Sequence, residues 1–184
     1  MLRLVFDQHK FDSLVLYIVS QCPDPARLGE MRLRKILYFA DATHYLRTGR
    51  PLTGATYVKW EHAPMPQELD AALQRLQQAD KLRVRQGTDP AGYPITAYLA
   101  LATPDIRAFG ADEISRIDTL IRTNVAERRS TPISEWIRNR AFEVIEIGEV
   151  LPYESFLIWQ FAEITPEDIA WARREIARVE DRPA

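Results

Sequence analysis

Met31-Arg32-Leu33-Arg34-Lys35-Ile36-Leu37-Tyr38-Phe39-Ala40-Asp41-Ala42-Thr43-His44, MRLRKILYFADATH, is the stretch from which the rest of the chain is read. Leu33, Ile36, Leu37, Ala40 and His44 recur at three and four, which is the spacing of one buried helix face. Gly49 stands where a left-handed residue would close that helix. The second helix of the chain is therefore expected from about Met31 to Gly49.

Upstream, Phe11, Leu14, Val15, Ile18 and Cys22 form another helical stripe, with Asp7 as its cap and Pro23 and Pro25 as its end. Downstream, Thr56 to Glu61 alternates around Tyr57, Val58, Lys59 and Trp60 and predicts a short strand. Pro66 is placed for the first turn of a third helix over 66–79, carrying Leu69, Ala72, Leu73 and Leu76. KLRVR and ITAYLAL, separated by the turn residues Gly87 to Pro94, predict a hairpin over 82–101. Asp112 opens a helix bearing Ile114, Ile117, Leu120, Ile121 and Val125. STPISEW and TPEDIAWARREIARV each supply a helix start, with Thr165, Pro166, Glu167 and Asp168 forming the second. The expected fold class is α+β and predominantly helical, with about six helices and a small antiparallel sheet of roughly three strands.

At 184 residues, without repeats or a long linker, the chain is expected to form a single domain over 1–184, with 151–184 as a C-terminal helical extension. Its 46% hydrophobic and 27% charged content is ordinary for a globular chain, and a net charge of −2 does not favour wholesale attraction to nucleic acid or anionic lipid. A single cysteine, Cys22, excludes an internal disulfide. MLRLVFDQHKF meets charged residues too early for a signal peptide, and no apolar run is long enough for a membrane span, so a cytoplasmic protein is expected.

Chemistry-bearing patterns are sparse. Asp41 and His44, three apart on one helix, would need His62 or Glu61 to make a zinc set, and neither HExxH nor paired CxxC spacing supports one. The seven glycines form no phosphate-cradling loop, no GxSxG elbow occurs, and Cys22 ends an apolar stripe. Neither a catalytic set, a metal nor a cofactor is expected. A helix followed by a hairpin is the order of a winged helix, which keeps a DNA-binding regulator as the alternative. Against it, Glu68 and Asp70 outnumber Arg75 on the helix that would enter the groove. Lys81, Arg83 and Arg85 on the hairpin could reach phosphates or simply guard an exposed edge.

Two features suggest a protein partner. Arg27, Arg32, Arg34 and Lys35 gather at the start of the second helix, where the macrodipole disfavours cations. Lys35, close to the apolar stripe, is expected to pair within the fold, and Arg32, on the polar side, to face outward. The corner Val58-Lys59-Trp60-Glu61-His62-Ala63-Pro64-Met65-Pro66 adds residue types that favour interface cores. Tyr57, Trp60, His62 and Met65, with Arg32, are the expected partner-binding residues. Tyr57 and Trp60 should point to opposite faces of the strand, so only one can enter the same core.

Taken in order, LRKILYFAD with Thr43-His44, then Gly49-Arg50-Pro51-Leu52-Thr53-Gly54, then the Ala63-Pro64-Met65-Pro66 corner resemble the SocA-like antitoxin, or Panacea, domain. The resemblance runs roughly over 11–150 and is strongest over 33–66. Phe109-Gly110-Ala111-Asp112-Glu113-Ile114 is similar to a later helix start of the family, and Ser134-Glu135-Trp136 echoes another element. Two positions depart from the pattern: Ala63 replaces a usual glycine, and Glu135 stands where a histidine is usual. The resemblance implies a prokaryotic or phage antitoxin that is not an enzyme and neutralises a cognate protein toxin by binding it. Its SocA branch implies a further role, delivery of the toxin to the ClpXP protease.

Overall fold

The computed structural model describes residues 5–61, 63–88, 92–126 and 145–155. Among them run helices α1 (Gln8–Ser20) and α2 (Pro25–Thr48), strands β1 (Tyr57–Val58) and β2 (Met65–Pro66), helix α3 (Leu69–Gln78), strands β3 (Leu82–Thr88) and β4 (Pro94–Ala100), a single 3-10 turn (Ile106–Ala108) and helix α4 (Ala111–Ala126). The fold is α+β and rich in helix, with four α-helices and two separate two-stranded antiparallel sheets among the described residues. The helices expected from STPISEW and TPEDIAW, and nearly all of the expected C-terminal extension, lie outside the described residues.

α1 lies within the core of the described residues. Asp7 caps it by accepting the Lys10 N–H at 2.9 Å. Beyond the expected stripe, Leu16, Tyr17 and Val19 are also buried, so the middle of α1 is enclosed on every side. A helix apolar all round packs this way. Arg75 of α3 grips Asp12 of α1 through both ends of its guanidinium, at 2.7 and 2.9 Å. Tyr17 donates to Asp118 of α4 at 2.6 Å.

α2 begins earlier than the apolar pattern predicts, because Pro25 suits a first helical turn and Gly29 bends rather than ends the helix. Gly29 has φ 59 and ψ 165, a conformation that cannot continue an α-helix and that glycine alone enters freely. The body after the bend buries Leu33, Ile36, Leu37, Phe39 and Ala40. Gly49 ends it at φ 72, its N–H bonded to the Tyr45 carbonyl, as expected.

Two expectations need correction. Pro66 does not start α3; it pairs with Tyr57 in β2, and Gln67 N–H continues the ladder to the Thr56 carbonyl at 2.9 Å. Helix geometry is possible only after those bonds are made, so α3 starts at Leu69. The strands also do not join into one sheet. Among the described residues β3 and β4 pair only with each other, from Leu82↔Ala100 to Thr88↔Pro94, and pack on α2 and α3 with Leu82 and Tyr98 inward. β1 instead has Val150 bridged to Val58 on its other side, and Leu151 N–H bonds to the Tyr57 carbonyl at 2.8 Å.

Candidate functional site

The loop after α2 is built around one side chain. Asp41 is completely buried, and its carboxylate accepts the Thr53 N–H at 2.5 Å, the Thr53 hydroxyl at 2.6 Å, the Gly54 N–H at 3.3 Å and the Tyr57 hydroxyl at 2.7 Å. Burial pushes the carboxyl pKa up while these four donors pull it down, and the net displacement is upward. Tyr57 is raised well above the ordinary phenol range by the same burial and by Asp41 itself. Gly54 has φ 75, and a Cβ there would lie 2.6 Å from the Val5 carbonyl oxygen. The Asp of LRKILYFAD and the Thr-Gly of PLTG are thus two halves of one buried latch that sets where β1 starts.

Asp41 and His44 do not share a site. His44 lies on the α4 side of α2, with Nδ1 3.7 Å from the Glu113 carboxylate, which Lys10 also meets at 3.2 Å. Glu113 in addition accepts the Gly110 N–H at 2.8 Å, satisfying a free backbone donor at the start of α4. Burial lifts the Glu113 carboxyl, yet the Gly110 and Lys10 bonds outweigh it and leave the pKa lowered. Burial lowers the His44 pKa, with Glu113 opposing. No cluster of three or more metal-binding side chains occurs among the described residues.

The strand expected over Thr56 to Glu61 is only Tyr57–Val58, both buried, and Trp60 lies two residues beyond its end. Tyr57 is in the core, its ring edge-on to Tyr38 at 5.1 Å. Trp60 is 44% exposed. It faces an open groove of about 480 Å³ between the bend in α2, the corner after β1 and the start of β4. Met31, Arg32, Arg34, Trp60, Ala63 and Ile95 are among its lining residues. Met31, at 43% exposed, is the second large apolar side chain offered there. Ala63 lies in the lining with ordinary backbone geometry, since Asp80 alone among the described non-glycine residues has positive φ.

The groove brings together two of the expected partner-binding residues, Arg32 and Trp60. Met65 is half-buried in β2 and is not among the lining residues, Tyr57 is beneath in the core, and His62 lies outside the described residues. Arg32 donates to the Arg27 carbonyl at 2.6 Å, and Arg34 pairs with Glu30 one turn earlier. The Nε of both arginines is out of water with no hydrogen-bond partner. An unsatisfied buried donor of this kind costs roughly 1–3 kcal/mol. Lys35 is buried, and desolvation followed by the charge of Arg32 lowers its pKa. Met31, Arg34 and Ile95 are not legible as site residues in the sequence. The available signals are the cationic cluster that contains Arg34 and the Gly29 that interrupts its helix.

The sequence matches the family described as antitoxin SocA-like, Panacea domain, over residues 33–139, more than half of the chain. The chain belongs to this family. The matched segment includes the Asp41 latch and the Arg34, Trp60 and Ile95 side of the groove, while Met31 and Arg32 lie just before it. No curated protein and no solved structure matches the chain. No described helix is long and apolar enough to cross a membrane.

Proposed function

We propose that this antitoxin-family chain acts, over its whole length as one domain, by binding a protein toxin and holding it inactive, without catalysis. The observation that carries the reading is the groove, in which Arg32 and Trp60 meet on a domain of antitoxin type. Arginine and tryptophan are the side chains that most often dominate protein–protein binding energy. Groups that would otherwise suggest chemistry are occupied: Asp41 holds the turn, and Cys22 is buried, its thiol donating to the Asp24 carbonyl and its pKa raised by desolvation. Arg75, the cation of α3, is engaged by Asp12, which leaves that helix poorly equipped to read DNA. Delivery of the bound toxin to ClpXP is a separable part of the proposal, implied by the resemblance to the SocA branch. The test is to express the neighbouring gene alone and with this one. Growth arrest relieved by co-expression, with a complex that co-purifies, is the expected result; absence of both arrest and complex overturns the reading.

A further inference from the structure

The groove has a chemical preference that the antitoxin reading does not specify. Two guanidiniums line it against one carboxylate, Glu30. Glu30 is itself half in solvent and reaches Arg34 only across one helical turn, a surface pair of the weak kind. Each arginine makes one hydrogen bond among the described residues, through one Nη, leaving its second Nη unused. Both Nε atoms are enclosed, so an incoming carboxylate would be met by the terminal Nη nitrogens that the Arg27 carbonyl and Glu30 leave unused. Trp60, Met31 and Ile95 supply apolar surface within the same groove. The lining therefore complements a segment carrying acidic and apolar side chains in close succession.

We infer that this groove binds an acidic, apolar-anchored peptide segment of the protein partner, with Arg32 and Arg34 receiving carboxylates and Trp60 and Met31 packing on an adjoining large apolar side chain. Binding exchanges the Glu30–Arg34 pair for an intermolecular one. The inference rests on the antitoxin reading only for the partner's being a toxin; the groove chemistry is testable without it.

The probe is a fluorescein-labelled peptide alternating Glu and Asp with Leu and Phe, compared with a peptide in which Lys replaces every acid. Anisotropy on the intact chain is expected to give saturable binding of the acidic peptide alone, weakened by salt. Arg32→Glu and Arg34→Glu are each expected to weaken it by at least roughly tenfold, a change of about 1.4 kcal/mol. Trp60→Ala should weaken it without changing its salt dependence, and Glu30→Gln should strengthen it. Unchanged circular dichroism and melting separate lost contacts from lost fold. Equal binding of both peptides, binding of neither, indifference to Arg32→Glu with Arg34→Glu, or selective binding of a labelled DNA duplex instead overturns the inference. Co-expression separates the two ideas. If the natural chain relieves toxicity and the double charge reversal relieves it equally, the groove assignment fails and the antitoxin reading stands; if the natural chain gives no relief while the acidic peptide still binds, the reverse holds.

Discussion

Asp41 shows how much one residue can determine. Its carboxylate, itself completely buried, receives four donors from three residues. Asp41→Asn keeps the shape but turns an amide N–H₂ toward groups that are themselves donors. It is expected to cost roughly 3 kcal/mol in urea denaturation. Tyr57→Phe removes one donor and is expected to cost about 1–2 kcal/mol. In the double mutant the costs should be less than additive, because the two groups share a bond. A loss below roughly 1 kcal/mol for Asp41→Asn would mean that the latch contributes little.

At the scale of elements, α1 is tied to its neighbours by polar contacts as well as by its apolar middle. Lys10, Glu113 and His44 join α1, α4 and α2, with Arg116 also acting on the imidazole. Because the folded-state pKa of His44 is lowered, the unfolded chain binds its proton more readily. Stability is then present above about pH 6.5 and falls as pH drops through that value toward the folded pKa. Glu113, lowered in the opposite chemical sense, adds a loss at more acidic pH, below its ordinary carboxyl value. His44→Gln should flatten the urea midpoint between about pH 7.5 and 5.5 and leave the more acidic loss in place. The Asp12–Arg75 pair between α1 and α3 should show a coupling of about 1 kcal/mol in a double-mutant cycle.

The same elements explain what the sequence makes legible. α1, α2 and the hairpin announce themselves because Leu14, Ile36 and Tyr98 repeat at the period of the structure that buries them. The beginning of α3 does not, because Pro66 is equally suited to a first helical turn and to an edge strand that needs no donor. Local pattern cannot choose between them; the Gln67–Thr56 bond does. The groove was half visible, since Arg32 and Trp60 can be selected by residue type. Met31, Arg34 and Ile95 join them only through a bend and a hairpin start brought together by tertiary packing.

For the whole molecule, the readings differ in what salt and partners do. A toxin binder of net charge −2 should leave heparin at low salt and show no steep salt-dependent affinity for duplex DNA. Elution only at high salt, with a DNA affinity falling steeply as salt rises, would favour the winged-helix alternative. Because Trp60 and Ile95 line the groove while Tyr57 and Tyr98 face the core, substitutions at Trp60 and Ile95 should alter binding while leaving stability within about 0.5 kcal/mol. Melting temperatures of Trp60→Ala and Ile95→Ala measure this directly.

The bend at Gly29 has a consequence in chirality. Nothing lies within 4 Å of where a Cβ would stand, so packing does not demand glycine; handedness does. Reflected, φ 59 and ψ 165 become nearly the extended backbone of an ordinary L-residue. Chemically assembled protein with D-alanine at this position should therefore keep the bend and gain about 0.4–1 kcal/mol from a stiffer unfolded chain. The L-alanine enantiomer of the same change should lose roughly 1–3 kcal/mol or straighten the helix and close the groove. Two molecules of identical composition, differing at one stereocentre, would then differ in whether they present a groove at all.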